Sequence, residues 1–70
     1  MIMNLMEQIM LMDKLSPSAD EIINAYNDKI KSFEPVNKDM FEQHAKTILE
    51  IAGGAGIVSK YENGKVFIEV

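Results

Sequence analysis

Residues 57–70 read IVSKYENGKVFIEV, and this C-terminal stretch predicts a β-hairpin. Asn63–Gly64 favours a type I′ turn, because both central residues of that turn need positive φ. A two-residue turn also fixes the register, which pairs Tyr61 with Val66. Alternation along the strands then places one set of side chains toward a core: Ile57, Ser59, Tyr61, Val66, Ile68 and Val70.

The opposite face of the hairpin is mostly charged, and Phe67 stands out on it as an aromatic side chain. Its cross-strand neighbour is Lys60, given the register above. An exposed aromatic residue of this kind anchors many protein interfaces, so Phe67 is a candidate contact residue. The alternative is that the N-terminal helix covers Phe67, and the sequence leaves both possibilities open.

A helix over about residues 38–52 precedes the hairpin. Asn37 is placed to cap it, and the glycines Gly53 and Gly54 are typical of a helix end. Apolar residues recur on one side at helical spacing, which predicts a buried stripe: Met40, Phe41, Ala45, Ile48, Leu49 and Ala52.

Two further helices are predicted upstream, over about residues 2–15 and 18–33. Ser16 and Pro17 separate them, because the residue before a proline avoids the helical region. Ser18 followed three residues later by Glu21 predicts a capping box at the start of the second helix.

The fold class that follows is α+β, with three helices and a C-terminal hairpin in one domain of residues 1–70. This order resembles a winged-helix domain, and the resemblance is carried by the helix 37–52, the break 53–56 and the strands 57–62 and 65–70. Winged-helix domains commonly bind DNA through the third helix and the wing, while many serve as protein-docking modules. The resemblance therefore implies either function, and fold alone does not decide between them.

DNA binding is disfavoured by the composition. The chain has 11 acidic and 7 basic residues, a formal net charge of −4 and no arginine. An acidic protein does not attract the phosphate backbone over long range, and arginine makes the commonest specific contact with guanine. The residues left as candidates for nucleic-acid contact are Lys38, Lys46, Lys60 and Lys65.

The composition also argues against a catalytic or metal site. There is no cysteine and a single histidine, His44, so disulfides, thiolate sites and an ordinary zinc site are excluded. No nucleophile lies in a pattern with a base, and Gly53, Gly54 and Gly56 lack the Lys-Ser/Thr ending of a phosphate-binding loop. We therefore expect no enzyme activity and no cofactor.

Methionines crowd the N-terminal helix, whose circumference is apolar on most sides. Methionine suits adaptable binding surfaces as well as cores. One helix buries one stripe against so small a body, so we expect Met6 and Met10 to face inward and other apolar residues to form an interface. These interface candidates, taken with Phe67, are Met3, Leu5, Leu11 and Met12.

The predicted function is a small protein-interaction module with a regulatory, adaptor or inhibitory role, as a homodimer or with another protein. The alternative is a dimeric winged-helix DNA-binding transcriptional regulator. A small-ligand sensor would need a cavity between the methionine-rich helix and the sheet. Residues 1–12 lack the basic region and cleavage site of a signal peptide and are too short for a membrane span, which predicts a cytoplasmic protein.

Overall fold

Two helices and three short strands make up the part of the chain that the computed structural model describes. It describes residues 5–70, apart from the side chains of Gln8, Ile9, Leu11 and Met12. The elements follow in the order α1 Leu5–Asn27, β1 Ser32–Phe33, α2 Lys38–Gly54, β2 Ser59–Glu62 and β3 Lys65–Ile68. The predicted α+β class is confirmed.

Helix α1 runs without interruption through Ser16 and Pro17. The prediction of two helices that end and restart at these residues is wrong. Proline has no N–H to donate to the carbonyl of Asp13, and this loss ordinarily breaks a helix. Here Leu15 on one side of Pro17 and Ala19 on the other are both buried in the same core. Tertiary packing therefore outweighs the local cost of the proline.

The predicted capping box at Ser18 and Glu21 is also absent, since both residues lie inside α1. The Ser18 hydroxyl donates instead to the Sδ of Met40 on α2, at 3.6 Å. The backbone N–H of Val36 donates to Oε1 of Glu21, at 3.1 Å. Both side chains thus tie α1 to the region where α2 begins.

Helix α1 ends at Asn27, six residues before the predicted end at Phe33. The N–H of Ile30 donates to the carbonyl of Ala25 and the N–H of Lys29 to that of Tyr26, the bond pattern of a Schellman motif. Lys29 takes the left-handed conformation of this motif, with φ 61°. The chain then turns into β1.

Helix α2 begins as predicted, because the Asn37 side chain accepts a hydrogen bond from the N–H of Met40 at 3.0 Å. The helix is kinked at His44, whose φ and ψ are −127° and 23°. It ends in a second Schellman motif, in which the left-handed residue is Gly56 with φ 84°. The prediction that Gly53 and Gly54 supply this conformation is wrong, since both are helical.

The strands form one antiparallel sheet in the order β1-β3-β2. The hairpin register is confirmed, with Tyr61 opposite Val66. Asn63 and Gly64 both have positive φ, of 53° and 77°, as a type I′ turn requires. Strand β1 was not predicted, and it pairs with the other side of β3.

The core lies between the two helices and one face of the sheet. It is a single cluster formed by both helices, the start of the hairpin and β3: Leu15, Ala19, Ile22, Ala25, Phe41, Ile48, Ala52, Ile57, Val66 and Ile68. Tyr61 reaches from β2 onto Phe41, with ring centroids 4.8 Å apart. Of the hairpin residues predicted to face inward, Val70 is instead exposed.

Candidate protein-binding surface

The first part of α1, residues 5–14, extends beyond the core, and we call it the arm. Among the side chains of this helix that the structure describes, Leu15 is the first that is buried. Within the arm, large apolar side chains stand in solvent: Leu5 is 72% exposed, Met6 69% and Met10 56%. Exposed apolar groups that lie close together on a small protein usually mark an interaction site. The arm is therefore the first candidate surface.

Of the predicted interface residues on this helix, the structure describes the side chain of Leu5 alone. Leu5 is exposed on the arm. Met3 lies outside the described residues, as do the side chains of Leu11 and Met12. The prediction that Met6 and Met10 face inward is wrong, since more than half of each side chain is accessible. Among the described side chains, the core cluster begins at Leu15, beyond both methionines.

One exposed row of side chains continues along the whole solvent side of α1. At about 100° per residue, Met6 and Met10 point away from the buried side that contains Leu15 and Ile22. Steps of three and four residues extend this row toward the helix end. We call it the outer stripe, and all its members are exposed: Met6, Met10, Asp13, Pro17, Asp20 and Asn24. It is apolar in the arm and acidic beyond it.

The net charge of the protein is concentrated on this helix and its end. Residues 1–28 contain five acidic residues and one lysine, while residues 29–70 contain six of each. The formal charge of −4 thus belongs to the first 28 residues, and the rest of the chain is neutral in total. Asp13 and Asp20, both exposed, lie on the outer stripe itself.

The outer face of the sheet is a second, smaller candidate surface. Phe67 is 36% exposed and Val58 64%. The Lys60 ammonium lies 5.7 Å from the centroid of the Phe67 ring and 3.4 Å from a carboxylate oxygen of Glu62. Phe67 is thus exposed, which agrees with the first of the two alternatives for this residue. Its neighbour Lys60 already contacts the Phe67 ring and the Glu62 carboxylate.

The four lysines predicted for nucleic-acid contact have different surroundings. Lys38 pairs with Glu34 at 3.3 Å, and Lys60 pairs with Glu62. Lys46 and Lys65 are exposed, and neither has an ion pair within the part of the chain that is described. Two of the four positive charges are therefore partly neutralised by neighbouring carboxylates.

A groove of about 450 Å³ lies between the base of the arm and the start of α2. It is lined mainly by polar side chains, among them Lys14, Asp39, Gln43 and the half-buried His44. This groove lies between the two helices, and no strand residue of the described chain lines it. The ligand-sensing hypothesis requires a cavity between the methionine-rich helix and the sheet, so the groove does not match it. Among residues 5–70, no group of three or more His, Asp or Glu side chains is placed to hold a metal ion.

Strand β2 carries two buried hydroxyl groups. The Tyr61 hydroxyl is buried and has no hydrogen-bond partner among the described residues, and the same holds for the Ser59 hydroxyl. Burial raises the pKa of Tyr61 above 10.0, and the nearby Glu42 carboxylate raises it further. The phenol therefore loses its proton at a higher pH in the folded protein than in the unfolded chain.

The sequence predicted the methionine-rich helix but did not identify its exposed side, which is the outer stripe. The signal was present, because Met6, Met10, Asp13 and Asp20 follow one helical row that Pro17 continues. The predicted break at Pro17 concealed it.

Within the described residues, no helix is long and apolar enough to cross a membrane. Comparison with protein-family models, curated proteins and solved structures gives no match.

Proposed function

We propose that this protein is a non-catalytic interaction module, with a regulatory, adaptor or inhibitory role in the cytoplasm. Its arm packs against another protein or against a second copy of the chain. The observation that carries this proposal is the exposure of Leu5, Met6 and Met10, on a helix whose described core residues begin at Leu15. Leaving three such side chains in water costs free energy that burial in an interface recovers.

Helical arms of this kind bind by laying an apolar face into a groove or along another helix. Met6 and Met10 are one helical turn apart, so both contact the same partner surface. The thioether side chain is unbranched and adapts to irregular surfaces. These properties support the arm over the sheet face, where Phe67 is less exposed and Lys60 lies near its ring.

Light scattering of the protein at several concentrations tests self-association, and affinity capture followed by mass spectrometry tests for other partners. We expect Leu5→Glu and Met10→Glu to abolish the association while leaving the folded spectrum unchanged, because neither side chain is buried. Val58→Glu, on the outer face of the sheet, is the matched control. Loss of association in the control alone would move the function to the sheet and contradict the proposal.

DNA binding is the second candidate function. It is supported by the order of α2 and the β2–β3 hairpin, which is the C-terminal part of the winged-helix resemblance, and by the exposed Lys46 and Lys65. The predicted order of three helices is not observed, since α1 is a single helix. A duplex added in low salt should then raise the scattering mass, and the gain should vanish as salt increases. Lys46→Glu and Lys65→Glu should abolish this gain.

A further inference from the structure

We propose that the partner of the arm is a basic amphipathic helix of another protein, which lies along the outer stripe of α1. This inference rests on the proposed function and specifies its partner. The stripe is apolar at Met6 and Met10 and then acidic at Asp13 and Asp20. A partner helix that matches it has apolar residues at one end of its contact face and lysine or arginine at the other.

The length of the stripe sets the size of this partner. Met6 and Asp20 are fourteen residues apart on one helix, so the contact extends over about 21 Å at 1.5 Å per residue. A helix of about four turns covers this distance. Its apolar end packs on the two methionines and on Leu5 at their flank, while its basic end meets the two aspartates.

A second copy of the chain fits the stripe poorly. In parallel pairing, Asp13 and Asp20 of one copy face the same carboxylates of the other, and like charges repel. In antiparallel pairing along the full stripe, Asp20 of one copy faces Met10 of the other and loses water without gaining a partner. Either arrangement works against self-association along this face.

Pairing confined to the methionine ends is also insufficient. Met6 and Met10 span about 6 Å of helix axis, which is one turn. A stable interface buries about 1,000 Å² or more in total, which contact through Met6 and Met10 alone does not supply. The charge distribution supports a basic helix of another protein instead. The whole net charge of −4 lies in residues 1–28, and it attracts a basic partner toward α1.

Synthetic amphipathic peptides test the proposal on the full-length protein. The probe is a helix of about eighteen residues, one turn longer than the contact derived above, with leucines at one end of a single face and lysines at the other. The matched probe replaces each lysine by glutamate and keeps the leucines. We expect calorimetric binding of the basic peptide only, with an affinity that falls as salt increases.

Paired variants locate the contact. Asp13→Asn with Asp20→Asn should weaken binding of the basic peptide by roughly 3- to 30-fold and reduce its salt dependence. Glu50→Gln with Glu69→Gln removes the same charge from exposed positions elsewhere and should leave the affinity within about twofold. Met6→Gln with Met10→Gln should weaken binding while the salt dependence is retained.

Three results would overturn this inference. Equal binding of the basic and acidic peptides, or binding of neither, would remove the basic partner. A dimer that forms without peptide and is dispersed by Met10→Glu would assign the stripe to a second copy. That dimer would still agree with the proposed function. In contrast, unchanged binding of partners or of a second copy in Leu5→Glu and Met10→Glu would show that the arm is not the binding surface.

Discussion

Lys29 and Gly56 occupy the same position at the ends of the two helices. Each is the left-handed residue of a Schellman motif, with φ of 61° and 84°. Glycine takes this conformation without a steric penalty, whereas lysine has a Cβ that crowds the neighbouring carbonyl. The end of α1 therefore carries a backbone cost that the end of α2 avoids.

Lys29→Gly should stabilise the protein by about 0.5–1 kcal/mol, because it relieves this cost. Lys29→Ala is the control, since it removes the charge and keeps the strained φ, and it should bring no gain. Gly56→Ala should destabilise by about 1–2 kcal/mol from the backbone alone, as a Cβ there meets open space. Urea unfolding measures all three, and a gain in Lys29→Ala equal to that in Lys29→Gly would contradict the explanation.

Pro17→Ala should stabilise the protein by about 1–3 kcal/mol. Alanine restores the N–H that bonds to the carbonyl of Asp13 and removes the ring from the interior of α1. The greater freedom of the unfolded alanine chain offsets part of the gain. Thermal unfolding followed by circular dichroism measures the change, with Ser16→Ala as a neighbouring exposed control. Equal stability in the two variants would mean that the proline imposes no cost on this helix.

Tyr61→Phe should remove a loss of stability at alkaline pH. Burial raises the pKa of the Tyr61 phenol above its unfolded value of 10.0, so the folded state holds this proton more tightly. Stability from this source is complete below about pH 10 and is lost as the pH rises through the folded pKa. Urea unfolding at about pH 8 and about pH 11 should show a smaller decline in Tyr61→Phe than in Tyr26→Phe.

At neutral pH, the same Tyr61→Phe variant should match the parent protein or exceed its stability by up to about 1 kcal/mol. The hydroxyl is buried without a partner among the described residues, so its removal sacrifices no hydrogen bond there. The ring contact with Phe41 is retained. A loss of more than about 1 kcal/mol would show that the hydroxyl has a partner.

Glu21→Ala should destabilise by about 1 kcal/mol, because it deletes the acceptor for the N–H of Val36. The site is exposed, so water replaces part of the lost bond. Glu21→Gln keeps a side-chain oxygen in place and should cost less than half as much. Equal losses in both variants would indicate that the carboxylate charge matters more than the hydrogen bond.

The hairpin and α2 could be predicted from the sequence because their signals are local. Asn63–Gly64 dictates its own turn and register, and Asn37 caps the helix that directly follows it. Strand β1 gave no such signal. Ser32 and Phe33 become a strand only by pairing with Phe67 and Val66, more than thirty residues along the chain.

The candidate surface was harder to predict for the same reason. A helix that is apolar on most sides does not reveal which side the body covers. Here that choice depends on where the core ends, at Leu15, and on the continuation of α1 through Pro17. Leu5 could be named from the sequence, whereas Met6 and Met10 were assigned to the wrong side.

Helix α1 is one helix of 23 residues, and its described core residues all lie from Leu15 onward. We therefore expect the amide protons of residues 5–14 to exchange through local opening, and those of buried Ile22 and Ala25 to exchange through global unfolding. A ligand that immobilises residues 5–14 also stabilises the folded state as a whole, by RT ln(1 + [L]/Kd). Binding of a ligand to the arm should therefore slow deuterium uptake at the far end of α1, at residues that the ligand does not contact.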